Sequence, residues 1–160
     1  MSVTVPFDLH HEFEVKAGLA EVFALLADVP ASASHFPKVD KLVPLGGNAF
    51  RWELQKVGTA QVHIQTIYAA TYVADRRKHR ISWTPVPGVG NALISGSWTL
   101  SEKKHCTHVV LHVQGEITVA MPALMRMLVV PVVANENEKL IRTYIANLCA
   151  HFGGAVHAAR

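Results

Sequence analysis

Two cysteines, Cys106 and Cys149, are all that the 160 residues contain, and they show neither CxxC spacing nor a disulfide-rich pattern. A disulfide framework is therefore excluded, and a reduced, cytoplasmic setting is expected. Charged residues make up only 17% of the chain while half of it is hydrophobic. Disorder is thereby excluded, and the composition predicts a large apolar interior, part of which can line a pocket. Long hydrophobic runs are missing too. The most apolar window, Leu124 to Ala134, carries Pro131 and is too short to span a bilayer. Met1 to Lys16 contains Asp8, Glu12 and Glu14 and no continuous apolar stretch, so neither stable membrane insertion nor export is expected. No repeat or low-complexity tract divides the chain, and the length fits a single domain over residues 1–160. The net charge of +3 has one local source, Arg76-Arg77-Lys78-His79-Arg80, at an expected hairpin turn. That run reads as solvated turn residues, and no nucleic-acid partner is expected.

What is present is hydrophobic periodicity. Val3 to Val15 alternates Phe7, Leu9, His11, Phe13 and Val15, a first strand. Leu19 to Ala27 is a strong helix former that Pro30 should stop, with a second short helix over Ala31 to Phe36. Strands are then expected over Lys38 to Leu45, Ala49 to Val57, Ala60 to Ala74, Arg80 to Thr84, Ala92 to Leu100 and Thr107 to Val119. In the third of these a bulge at Ala69 and Ala70 could reverse the parity, a point left open. Val109, Leu111, Val113, Ile117 and Val119 occupy one face of the last strand, and His108, His112, Gln114 and Glu116 the other. From Pro122 to about Phe152 a helical stretch places Leu140, Ile141, Tyr144, Ile145, Leu148 and Phe152 at three- and four-residue spacings. Pro131 should break or kink it.

This order, with AEVFALLADV at 20–29 leading to His35-Phe36-Pro37 and with Gly96-Ser97-Trp98-Thr99-Leu100 before a strongly alternating strand, resembles the START-like helix-grip superfamily (SRPBCC). Within it the polyketide cyclase/dehydrase-type branch is most similar. The resemblance implies an α+β fold: a curved seven-stranded antiparallel sheet around a long C-terminal helix, two short helices after the first strand, and a hydrophobic cavity between sheet and helix.

Taking the apolar row of each strand as inward gives a lining almost without titratable groups. Arg51, Glu53, His63, Gln65, His112, Gln114 and Glu116 fall on the opposite face. General acid–base chemistry needs a held and tuned titratable group, so the pattern favours binding over catalysis. The candidate ligand-binding residues are Trp52, Ile64, Thr66, Tyr68, Trp83, Trp98 and Leu111 from the strands, with Met125 and Leu128 from the helical stretch. Large aromatics at these positions serve equally as plain core, and that alternative stays open. The expected partner is a small hydrophobic molecule such as a polyketide-like aromatic, a quinone or a lipid; a homodimer is left open. For a cyclase/dehydrase-type enzyme Tyr68 would be the nominee, joined by His63 or Gln65 if the strand parity reverses. No catalytic residue is otherwise assigned. Met121, Met125 and Met127 form a candidate lid, and Gly88-Val89-Gly90 a candidate mobile rim.

Ten histidines raise the question of a metal. His10 and His11 point apart, His108 and His112 lie about 13 Å apart along a strand, and no HxH or HExxH occurs. His105, Cys106 and His108 read as exposed polar side chains near a turn. Neither a metal site nor a cofactor is expected.

Overall fold

The computed structural model describes residues 2–157. Uninterrupted alternation makes β1 (Val3–Val15) a thirteen-residue strand, and α1 (Leu19–Ala27) follows as the sequence predicts. The second helix differs. Pro30 does not merely end α1: it sits in the first turn of α2 (Val29–Ala33), where its missing N–H and fixed φ cost nothing. Between the helices Asp28 caps α2, its carboxylate accepting from the Ala31 amide at 3.3 Å. Thus α2 starts and ends earlier than the expected Ala31 to Phe36.

The strands β2 (Val39–Gly46), β3 (Ala49–Leu54), β6 (Ile67–Asp75), β7 (Arg80–Pro85), β8 (Ala92–Lys103) and β9 (Cys106–Val119) join β1 in an antiparallel sheet. These are the seven expected strands, extended by the short β10 (Ala155–His157) in the order β10-β1-β9-β8-β7-β6-β3-β2. The expected long strand from Ala60 to Ala74 is divided. Residues 63–64 form β5 (His63–Ile64), which pairs with β4 (Val57–Gly58) as a separate ribbon before β6 begins. Parity is not reversed at Ala69 and Ala70: Trp52 faces Tyr68, Phe50 faces Ala70 and Tyr72 faces Trp83 in continuous register. Tyr68, Ala70 and Tyr72 therefore share one face with Trp52 and Trp83.

After β9 a single 3-10 turn (Ala123–Met125) leads into α3 (Arg126–His151). This helix buries Val129, Val133, Leu140, Tyr144 and Leu148, four- and seven-residue steps along one stripe. The expected break at Pro131 does not occur, and α3 runs on through it. Pro131 deprives the Met127 carbonyl of its partner, and Met127 is 87% exposed, so water is at hand. The architecture is the helix-grip α+β fold, α3 lying across the face that carries Trp52, Trp98 and Leu111. No helix among the described residues is long and apolar enough to cross a membrane.

Candidate functional site

Between the sheet, α2 and α3 lies a cavity of about 60 Å³. Its wall contains all three tryptophans of the chain, Trp52, Trp83 and Trp98, and all three tyrosines, Tyr68, Tyr72 and Tyr144. Five strands contribute through their inward rows: Trp52 from β3, Tyr68 and Tyr72 from β6, Trp83 from β7, Trp98 from β8, Leu111 and Val113 from β9. A second lobe of about 50 Å³ shares Phe36, Tyr68, Ile94, Val113 and Ile141 with the first and adds Thr66 and Asn137. Among the described residues neither lobe is lined by an Asp, Glu, Lys, Arg or His side chain.

The rings are ordered against one another. Trp52 and Tyr68 stack with centroids 5.9 Å apart and planes within 6°, and Trp98 meets Tyr144 edge-on at 5.8 Å. Gly96 lies directly opposite Trp83, and a Cβ there would come 2.5 Å from the indole. Only a glycine lets that ring lie flat on the sheet.

The polar tips of the rings find one another. Trp52 Nε1 donates to the Tyr72 hydroxyl at 2.9 Å, and Ser32 Oγ and the Tyr144 hydroxyl share a hydrogen bond. Burial, with Tyr72 and Tyr144 close by, holds the Tyr68 phenol well above its ordinary pKa. Burial also raises Tyr72, and it pushes Tyr144 up to about 12 against the opposing hydrogen bond from Ser32. All three phenols are therefore held in the protonated form, Tyr144 engaged with Ser32 and Tyr72 accepting from Trp52.

Of the residues named from the sequence, Trp52, Tyr68, Trp83, Trp98 and Leu111 meet at the main lobe and Thr66 at the second. Ile64 is buried in the core but lines neither lobe. Met125 and Leu128 do not reach the cavity: Met125 packs half-buried at the core's edge, and Leu128 is 55% exposed. Of the candidate lid, Met127 is almost fully exposed, whereas Met121 and Met125 pack half-buried against the core's edge. His63 and Gln65 are exposed, because the parity that would have turned them inward does not reverse. Gly88, Val89 and Gly90 line a separate surface hollow. The adjoining Asn91 side chain fastens them there, accepting from the Ile67 amide and donating to the Gln65 and Thr118 carbonyls at 2.8, 2.8 and 3.0 Å.

Sequence reasoning missed Ser32, Phe36, Tyr72, Asn137 and Ile141. Tyr72 was legible from the period-2 row through Tyr68 once parity was settled. Phe36 borders both lobes and also an open apolar groove of about 470 Å³ between α2 and β2. It is held by ring contacts to Tyr144 at 5.0 Å and Trp52 at 5.7 Å.

On the opposite face of the sheet the structure assembles a group that within-strand spacing could not show. Asp8, His10 and His112 place their carboxylate and ring nitrogens within 4.8 Å of one another, because β1 and β9 pair with His10 opposite His112.

No curated protein matches the chain. Among solved structures it is similar to a conserved protein from Geobacillus kaustophilus at TM-score 0.66, with 15% identity over 92% of this chain and 95% of that one. It is similar to the Zhui aromatase/cyclase from Streptomyces sp. R1128 at TM-score 0.62, with 18% identity over 91% and 90%. A START superfamily protein from Mycobacterium smegmatis aligns at TM-score 0.60, with 11% identity over 92% and 97%. At these identities the likeness is one of fold. Residues 6–153, nearly the whole chain, match the family described as polyketide cyclase / dehydrase and lipid transport, and the chain belongs to that family.

Proposed function

We propose that the protein binds a small hydrophobic molecule bearing oxygen functions, such as a polyketide-like aromatic, a quinone or a lipid, in the cavity between the sheet and α3. The observation that carries this reading is the collection of every Trp and Tyr of the chain in one wall without a charged neighbour. Flat aromatic faces supply contact area, and protonated phenols supply a few oriented hydrogen bonds, the usual division of labour in a small-molecule pocket. Trp52, Trp83, Trp98, Leu111 and Tyr68 are the proposed contacts, with Thr66 at the second lobe. A cavity holding a benzene ring measures on the order of 150 Å³, so the lobe of about 60 Å³ must open for a ligand to enter. Phe36, shared by both lobes and the outer groove, is the side chain whose rotation joins them. The site is built from one chain, so the reading requires no dimer, and a reducing cytoplasm suits its two free thiols.

A second reading, a cyclase/dehydrase-type enzyme acting on a poly-ketone, rests on Tyr68. A phenol kept protonated by its apolar wall can donate to a ketone oxygen and steady the negative charge of an enolate. It cannot act as the base.

Titration of the tag-free protein with 1,4-naphthoquinone, followed by tryptophan fluorescence, tests the binding reading. The expected result is saturable quenching at one equivalent, lost in Trp52→Ala. Quenching that stays linear with concentration, and is the same in both proteins, would overturn it.

A further inference from the structure

We propose that Asp8, His10 and His112 form a binding site for one divalent transition-metal ion of the zinc type, on the face of the sheet away from the cavity. The strands put these residues together. His10 lies opposite His112 across the β1–β9 pair, and Asp8 lies two residues before His10, opposite Gln114. Residues two apart on a strand share a face, and directly opposed residues are nearest neighbours. Asp8 Oδ1 is 2.8 Å from His112 Nε2 and 3.8 Å from His10 Nε2. Bonds of about 2.0–2.1 Å at a tetrahedral ion separate its ligand atoms by roughly 3.4 Å. The two spacings fall either side of that value, and the imidazoles have to turn out of their stack for their in-plane lone pairs to converge with the carboxylate on one ion.

The imidazoles of His10 and His112 stack with centroids 4.0 Å apart and planes 14° from parallel, and each has its Nε2 beside the same carboxylate. An ion there would take one nitrogen lone pair from each neutral ring. Two imidazoles and one carboxylate select zinc-like ions over magnesium or calcium, which prefer oxygen-only shells. Asp8 and His10 have side chains 60% and 67% exposed, so the ion has direct access, and the fourth coordination position is open to water. The ligands stand on two long paired strands, which fix their spacing better than a loop would.

The test is isothermal titration of the tag-free, chelator-treated protein with zinc chloride, with bound metal counted after dialysis. The expected result is saturation at one equivalent. Affinity should fall about tenfold or more in His112→Ala, since even partners of metal ligands are worth that much. His63→Ala, which removes an exposed histidine outside the cluster, should bind as the parent does, and magnesium should not compete. Should His112→Ala fail to fold, Asp8→Asn at its exposed position serves in its place with the same expected loss. No saturable zinc, or equal affinity in the cluster variants and His63→Ala, would overturn the site.

Discussion

One strand of this protein serves two different surfaces. Along β9, Leu111 and Val113 line the cavity, while His108 and His112 point the other way and pair with Glu14 and Asp8 at 3.3 and 2.8 Å. The inner face has aromatic rings, protonated hydroxyls and no charge on its lining; the outer face carries imidazoles and carboxylates. The period of two in the sequence therefore separates two chemistries that share one backbone. Polar groups inside have to satisfy each other, as Trp52 does with Tyr72 and Ser32 with Tyr144, whereas those outside are free to exchange partners with water or an ion.

Substitutions should show this asymmetry. The largest effect belongs to the inner face. Trp98 is 3% exposed and packs edge-on against Phe13 and Tyr144, so Trp98→Ala should cost about 3–5 kcal/mol in chemical denaturation. Tyr144→Phe keeps the ring and removes only its hydrogen bond with the buried Ser32. It should cost about 1 kcal/mol by the same measurement, and a neutral result would show that the polar tips inside do not need one another.

Glu138 joins α3 to the sheet, 3.2 Å from His11 and 2.8 Å from Arg142. Burial raises its pKa, but the Arg142 hydrogen bond and the His11 and Arg142 charges outweigh that and hold it below 4.5. A carboxyl lowered on folding stabilises fully above its unfolded pKa, and that contribution is lost as pH falls through the lowered value. With the side chain 30% exposed, the gain is expected to be below about 1 kcal/mol. Glu138→Gln should accordingly narrow its stability deficit between pH 6 and pH 3, read from denaturant midpoints. The smallest effect is expected at Glu116, an outer-face position of β9 bordering a surface hollow. Glu116→Ala should change stability by less than about 0.5 kcal/mol and leave naphthoquinone binding intact; a large loss of binding would mean that the two faces have been assigned the wrong way round.

Much of the inner face was legible from alternation alone, since burying one face of a strand fixes every second residue, and Trp52, Tyr68, Trp83, Trp98 and Leu111 follow from that rule. Tyr72 was lost because Ala69 and Ala70, two small residues that are both buried, look like a bulge. In the structure Ala69 is buried although it points to the opposite face from Tyr68 and Ala70, and its carbonyl accepts from the Val86 amide at 2.9 Å. Met125 and Leu128 were placed inside because apolar residues near a helix start look like core; around the 3-10 turn before α3, Met125 reaches only the core's edge and Leu128 is exposed. The Asp8, His10 and His112 cluster was invisible to within-strand spacing, which compares His10 with His11 and His108 with His112. It depends on the register between the first and last long strands, which no local pattern specifies.

The most direct test of the cavity as a ligand site is native mass spectrometry of the tag-free protein, as isolated and after incubation with 1,4-naphthoquinone, with Phe36→Ala alongside. Binding between the sheet and α3 predicts a one-to-one adduct that forms faster in Phe36→Ala, where the barrier between the outer groove and the cavity has been removed. An absence of any adduct in both proteins, as isolated and with the quinone in excess, would contradict it and leave the six aromatic rings as core.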